Sequence, residues 1–235
     1  MKDIVDLKVT QIRLYPIDVL PIAALLVEKN LAPFKDTLRF KTASGGEAKP
    51  EAVAFELLGG EFDYQGSTHL IERLTIEPRR LIFVTLGPST VANALYDEIR
   101  KILIAADPER RLEKREPYVK VEETSCVITL EVDFRQLFAP RLLQFLEKNV
   151  QPRTSNGSAT STVLLSRFSA RVSYDLTDPN LKKVGVRLVD KVVTIEPRSG
   201  TGLDEKRYFT QSPTDSETHL ALLREFEKAF GSTTD

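Results

Sequence analysis

Apolar and polar residues alternate in two long segments of the chain. Val5, Leu7 and Val9, then Ile12 and Leu14, form one, and Ile128, Leu130, Val132 and Phe134 form the other. A period of two predicts strands with one buried face. In the first segment the phase slips between Val9 and Ile12, which predicts a bulge residue there. A helical pattern follows each strand, over Val19–Lys29 and Pro140–Lys148, with a proline in the first turn, where a missing N–H costs nothing. Asn30 and Asn149 are placed to end these helices in the left-handed conformation.

Antiparallel strands joined by short turns are predicted next, at 52–58, 61–77 and 80–86, with a short extra strand near Thr37–Lys41. The second half repeats them at 162–176, 183–196 and 206–211. Gly59-Gly60 and Asp178-Pro179-Asn180 supply turn chemistry between them. Each half closes on an amphipathic helix. Ser89 caps one carrying Val91, Leu95, Ile99, Ile102 and Leu103. Thr214 and Glu217 form a capping box before Leu220, Leu223, Phe226 and Phe230, and Gly231 ends that helix.

The two halves are related in one register. Thr75-Ile76-Glu77-Pro78-Arg79 recurs 119 positions later as Thr194-Ile195-Glu196-Pro197-Arg198. At the same offset Glu28-Lys29-Asn30 recurs as Glu147-Lys148-Asn149 and Pro21 as Pro140, while Phe55 and Leu57 fall on Tyr174 and Leu176. Self-similarity at a fixed offset predicts a repeat architecture. The fold class expected is α+β: a tandem duplication of a β-α-β-β-β(-β)-α unit, with antiparallel sheets each covered on one face by two helices in a pseudo-twofold arrangement. Residues 1–107 make the first repeat, 108–119 the linker and 120–235 the second repeat. The mixed-charge run between Pro108 and Pro117 reads as a solvated connection, and 151–161 as a loop.

This order of elements resembles the TATA-binding-protein type of repeat, in which two halves make a saddle with helices on the convex side. The resemblance lies in element order over most of the chain and rests on no motif, so no functional residue is carried across. It implies an open sheet face, which in a DNA saddle needs basic and apolar residues with aromatic wedges. The alternation places Lys8, Thr10, Arg39, Lys41, Arg73, Thr75 and Glu77 on that face in the first half. Thr129, Glu131, Asp133, Arg167, Ser169, Arg171, Thr194 and Glu196 take it in the second. A face of mixed sign without aromatic residues disfavours a grip on phosphates.

Charge and composition point the same way. Lys and Arg total 33 against 34 acids, a net charge of −1, which provides no general attraction to nucleic acid or anionic lipid. The longest apolar run, Val19–Val27, is interrupted by Pro21 and is too short to span a bilayer. The opening Met-Lys-Asp-Ile-Val-Asp lacks the pattern of a signal peptide, so a cytoplasmic location and no membrane partner are expected. Cys126 is the only cysteine, which excludes an intrachain disulfide and a cysteine-based zinc site. His69 and His219 are the only histidines and read as surface or capping residues, and Cys126 reads as a core thiol.

No catalytic, metal or cofactor motif emerges. Gly59-Gly60 is not followed by the lysine and helix of a phosphate loop. The repeated Glu-Pro-Arg is the most suggestive segment: Arg79 and Arg198, flanked by Glu77 and Glu196, would make an anion clamp if a pseudo-twofold axis brought them together. Arg39, Lys41 and Arg73 mark a basic patch on the first repeat. The expected function is a non-enzymatic binding or assembly protein, acting through a protein partner or self-association. One alternative is nucleic-acid binding through the first repeat and Arg110, Arg111, Lys114 and Arg115 of the linker. Another is a small-molecule-binding protein or enzyme with a pocket between sheet and helices.

Overall fold

The N-terminal alternating segment forms strand β1 (Lys2–Leu14) in the computed structural model, which describes residues 1–45, 55–132, 137–150, 167–174, 189–201 and 205–231. Two short helices follow, α1 (Ile22–Leu25) and α2 (Ala32–Leu38), with a 3-10 turn at Glu28–Asn30 between them. Strands β2 (Thr42–Gly45), β3 (Phe55–Tyr64), β4 (Ser67–Ile76) and β5 (Arg80–Leu86) lead into the long helix α3 (Ser89–Ala106). The remainder runs β6 (Val119–Thr129), α4 (Pro140–Phe145), β7 (Phe168–Val172), β8 (Lys191–Pro197), β9 (Arg207–Ser212) and α5 (Ser216–Phe230). The protein is α+β, with antiparallel strand pairing. Among the described residues no helix is long and apolar enough to cross a membrane.

The chain folds into two compact units. The first comprises Asp6–Ser125 and Pro213–Thr218; the second comprises Met1–Val5, Cys126–Ser212 and His219–Asp235. In the first unit the strand order is β2-β3-β4-β5-β1, and β6 enters beside β1, with the Tyr118 N–H donating to the Leu14 carbonyl at 3.0 Å. In the second the order is β6-β9-β8-β7.

Helix α3 forms because its apolar residues recur at helical spacing. Ala92, Leu95, Tyr96, Ile99, Ile102 and Leu103 make one buried stripe in the same core as Phe55, Leu57, Leu74, Ile76, Leu81 and Phe83 of the strands, and Val91 is buried beside it in sequence. Phe34 and Leu38 of α2 join that core. Each such side chain contributes about 1.5–3 kcal/mol by leaving water. The second unit buries Ile128, Val132, Ile195, Tyr208 and Leu223. The Phe226 ring lies 5.6 Å from that of Phe168 and 5.1 Å from that of Phe230.

Several local expectations are corrected by the structure. β1 does not slip between Val9 and Ile12. Its pairing with β5 runs unbroken from Lys8↔Leu86 to Leu14↔Arg80, and the backbone irregularities sit earlier, at Asp3 and Asp6, both with positive φ. Continuous hydrogen bonding keeps the alternation strict, so Val9, Gln11 and Arg13 point inward while Ile12 and Leu14 stay half-buried on the opposite face. Gly59-Gly60 lies inside β3 rather than in a turn; the turn is Gln65-Gly66, whose φ values of 49° and 78° suit a two-residue hairpin between Tyr64 and Ser67. Thr37 and Leu38 end α2 instead of starting a strand, and Arg39 takes the left-handed C-cap conformation at φ 46°.

The caps differ as well. Asn30 and Asn149 do not enter the left-handed region; their side-chain amides donate to the carbonyls of Ala24 (2.7 Å) and Phe145 (3.0 Å). Asp215, not Thr214, caps α5: its carboxylate accepts from the Thr218 N–H at 2.8 Å and the Thr218 hydroxyl at 2.7 Å. Ser89 does not cap its own helix, because its hydroxyl accepts the Ser216 N–H at 2.7 Å while the Ser216 hydroxyl accepts the Ser89 N–H at 2.9 Å. Asp133, Phe134, Leu176, the turn at 178–180 and the loop at 151–161 lie outside the described residues.

Gly60 tests how the end of α2 meets the sheet. A Cβ there would lie 2.8 Å from the Leu38 carbonyl oxygen and from the Phe40 ring. Gly60→Ala is expected to destabilise the first unit by about 1–3 kcal/mol, read as a lower urea midpoint, because backbone cannot yield as a flexible side chain does. An unchanged midpoint would refute this contact.

Candidate functional site

Strict alternation in β1 buries two polar side chains facing α3. Gln11 is wholly buried and Arg13 is only 7% exposed. The Arg13 Nη2 donates to Gln11 Oε1 at 2.5 Å and to Asn93 Oδ1 of α3 at 3.3 Å, and its guanidinium carbon lies 4.6 Å from the centroid of the Tyr96 ring. Gln11 Nε2 donates in turn to Asn93 Oδ1 (2.9 Å) and to Glu122 Oε2 of β6 (3.0 Å). The arginine thus has neutral partners. Among the described residues it forms no ion pair.

A cavity of about 560 Å³ opens beside this cluster. Arg13, Asn93, Tyr96, Asp97 and Arg100 line it from β1 and α3, and Glu116, Lys120, Val121 and Glu122 from the segment entering β6. Three buried polar atoms on these residues have no hydrogen-bond partner: Arg13 Nε, Arg100 Nε and Glu122 Oε1. An orphaned buried polar atom costs about 1–3 kcal/mol, more when charged. Tyr96, on the cavity wall, shares with Tyr15 a hydroxyl–hydroxyl hydrogen bond of 2.6 Å, and burial pushes both phenols up from their ordinary range, so both stay neutral.

The segment read as a solvated connection builds one wall of this site. Leu112 is buried in the core, and Arg100 reaches back to the Leu112 carbonyl (3.1 Å) and the Glu116 carboxylate (2.9 Å). Asp107, 2% exposed, accepts from the Glu109 and Arg111 N–H groups and from the Arg111 guanidinium. Burial raises its pKa, but those hydrogen bonds outweigh it and leave the carboxyl below its usual range.

The second unit holds a different cluster. His219 of α5 is 2% exposed. Its Nδ1 lies 2.7 Å from the Ser212 hydroxyl and its Nε2 lies 3.0 Å from the Thr210 hydroxyl and 3.7 Å from the Cys126 thiol. Cysteine beside histidine suggests a nucleophile and base, but the electrostatics oppose it. Burial pushes the thiol pKa up and the imidazole pKa down to about 4, so both partners stay neutral. His219 is therefore a core residue rather than a surface or capping one. The available signal was its place four residues before Leu223 on the buried stripe of α5.

The residues singled out in the sequence lie elsewhere. Pro78 and Arg79 are the central residues of the β4–β5 turn, where the Glu77 carboxylate pairs with Arg80 at 2.5 Å and the Arg79 Nη2 donates to the Tyr118 hydroxyl at 2.7 Å. Arg79 belongs to the first unit and Arg198 to the second. The Arg198 N–H bonds the Arg207 carbonyl, and Glu196 pairs with Arg167 at 2.9 Å. Arg39 is clamped by Asp63 (2.7 Å) and Glu61 (3.1 Å); the Arg39 and Thr68 hydrogen bonds hold the Asp63 carboxyl far below the usual carboxylate range. Arg73 pairs with Glu56 at 3.8 Å, and the Lys41 stem covers Gly59. Sequence reading missed Gln11, Arg13, Asn93, Arg100 and Glu122, because the supposed bulge turned Gln11 and Arg13 outward.

Among the described residues no group of three or more His, Cys, Asp or Glu is arranged to hold a metal ion. Compared with protein-family models, with curated proteins and with solved structures, the chain matches none.

The buried imidazole makes stability depend on pH. The folded state holds His219 at about 4, while the unfolded chain returns it to the ordinary 6.5. The unfolded state therefore binds the proton first as pH falls, so stability is full above about 6.5 and declines toward 4, by on the order of 3 kcal/mol. Urea midpoints at pH 7.5 and 4.5 are expected to differ in the parent protein and to converge in His219→Gln. An equal pH response in the two would count against a neutral buried imidazole.

Proposed function

We propose that this chain is a non-enzymatic binding protein whose first unit takes a small ligand carrying an anionic group in the cavity between α3, β1 and β6. The carrying observation is Arg13: a guanidinium 7% exposed, without an ion pair among the described residues, its Nε unpartnered, on the wall of a cavity of about 560 Å³. Leaving a charge buried and uncompensated is costly, and a ligand carboxylate or phosphate offsets that cost. The size of the cavity suits a small molecule.

We also infer a tandem duplication in an element order like the TATA-binding-protein repeat. Three observations support it. Within each unit the first strand of the half lies beside its last, β1 by β5 and β6 by β9. The two Thr-Ile-Glu-Pro-Arg segments each end a strand, β4 and β8. Buried Val9, Gln11 and Arg13 fall, at the offset of 119, on buried Ile128, Leu130 and Val132. On this reading the inward β positions are apolar by default, and Gln11 and Arg13 mark a site acquired by one half.

A protein partner on the open sheet face is the second reading. The inverted phase of β1 leaves Ile12 facing Ile82 and Lys8 facing Leu86 on that face, which makes it more apolar than the sequence suggests. Sedimentation that shows a monomer at all concentrations would remove self-association. Nucleic-acid binding gains no support: Lys8, Arg39, Arg73, Arg110 and Arg111 are each paired with a carboxylate.

Arg13→Met keeps most of the side-chain volume and removes the charge. In calorimetric titrations with acetate, succinate, citrate and inorganic phosphate, at least one anion is expected to bind the parent and to bind Arg13→Met at least tenfold more weakly. Stability should change by less than about 1 kcal/mol, since an uncompensated charge is removed. A loss of several kcal/mol with no anion binding in the parent would make the cluster structural.

A further inference from the structure

We infer that Gln11 is a positioning residue of this cavity, an inference that rests on the anion-site reading above: its amide holds Arg13 and Glu122 apart and keeps the guanidinium charge open to a ligand anion. Arg13 stands on β1 and Glu122 on the neighbouring strand β6, and both line the same cavity. Side chains on one face of neighbouring strands stand about 5–8 Å apart, a distance that an arginine spans. Each residue has bonding capacity to spare, since Arg13 Nε and Glu122 Oε1 are shielded from water and unpartnered, yet the two form no ion pair. Gln11, wholly buried, bonds both of them.

An amide suits that place because it meets opposite charges with opposite ends. The Gln11 carbonyl accepts from Arg13 Nη2 at 2.5 Å, while its Nε2 donates to Glu122 Oε2 at 3.0 Å and to Asn93 Oδ1 at 2.9 Å. Turning the amide over would set its oxygen against two acceptor oxygens and its NH2 against a cation, so these bonds fix one orientation. An apolar side chain at position 11 would bond neither charge. Arg13 and Glu122 would then satisfy each other, and a guanidinium closed onto a carboxylate no longer serves as an anion site. A glutamate at position 11 would take Arg13 itself. Glutamine bonds both charges and adds none.

The test titrates the full chain, by calorimetry, with acetate, succinate, citrate and inorganic phosphate. Any anion that binds the parent in an Arg13-dependent manner is expected to bind Gln11→Met about tenfold or more weakly, because it must displace the Glu122 carboxylate. Glu122→Gln removes that competitor, so the double variant Gln11→Met/Glu122→Gln is expected to return to within about threefold of the parent. A residue that only packs the core would not be rescued by removing a carboxylate on another strand. Where the urea midpoint shows that Gln11→Met does not fold, Gln11→Glu carries the test, with a loss of about tenfold or more expected as its own carboxylate takes Arg13. Unchanged affinity in the folded Gln11 variant, or a weakening of Gln11→Met that Glu122→Gln does not rescue, would overturn the spacing role and leave the cavity reading standing. No binding of any of these anions to the parent would overturn both.

Discussion

Hydrogen bonding between β1 and β5 fixes the direction of every side chain on β1, whatever its polarity. Once Lys8 pairs with Leu86 and Leu14 with Arg80, the odd-numbered residues from Val9 to Arg13 must face α3. The apolar pattern of the strand favours the other arrangement for Ile12 and Leu14, and the ladder overrides it. Gln11 and Arg13 enter the interior as a consequence, and Asn93 on α3, the Tyr96 ring and Glu122 on β6 supply their surroundings. The place of Arg13 on the cavity wall follows from that one register.

The two buried polar clusters show why burial alone does not mark a functional site. In the second unit, His219 has hydroxyl partners on both ring nitrogens, and desolvation keeps it and Cys126 neutral. Such a network is satisfied and adds to the rigidity of the core. Arginine has no neutral form to retreat to, so Arg13 stays charged where its partners are amides and a ring. Arg13 also lines a cavity, where a ligand anion would offset its charge.

The connection between the halves carries a related lesson. Alternating charges predict a solvated run, and many of its side chains are exposed. Yet Leu112 is anchored in the core, Asp107 caps the turn from a buried position, and Arg100 ties the segment to α3. A single buried leucine with two polar anchors is enough to convert a charged linker into the wall of a cavity.

Element type was legible in the sequence wherever a period extended over many residues: the strand character of β1, the long helices α3 and α5, and the antiparallel pairing of an α+β fold; β6, at Val119–Thr129, shares only Ile128 and Thr129 with the alternating segment 128–134. The recurrence of Thr-Ile-Glu-Pro-Arg was legible too, because it needs no contact to be seen. Short-range chemistry was less so. Gly59-Gly60 outweighed Gln65-Gly66 as a turn signal, although the missing Cβ of Gly60 makes room for the Phe40 ring and not for a reversal of the chain. Capping went to Asp215 and to the reciprocal Ser89–Ser216 pair, since a hydroxyl goes to the donor nearest in space. The sequence by itself determined which segments alternate and which coil. Only the tertiary structure decided that Gln11 and Arg13 point inward and that Glu122 and Arg100 join them. The phase of a strand is set by the hydrogen bonds of its neighbours, and the partners of a buried charge come from residues far away along the chain.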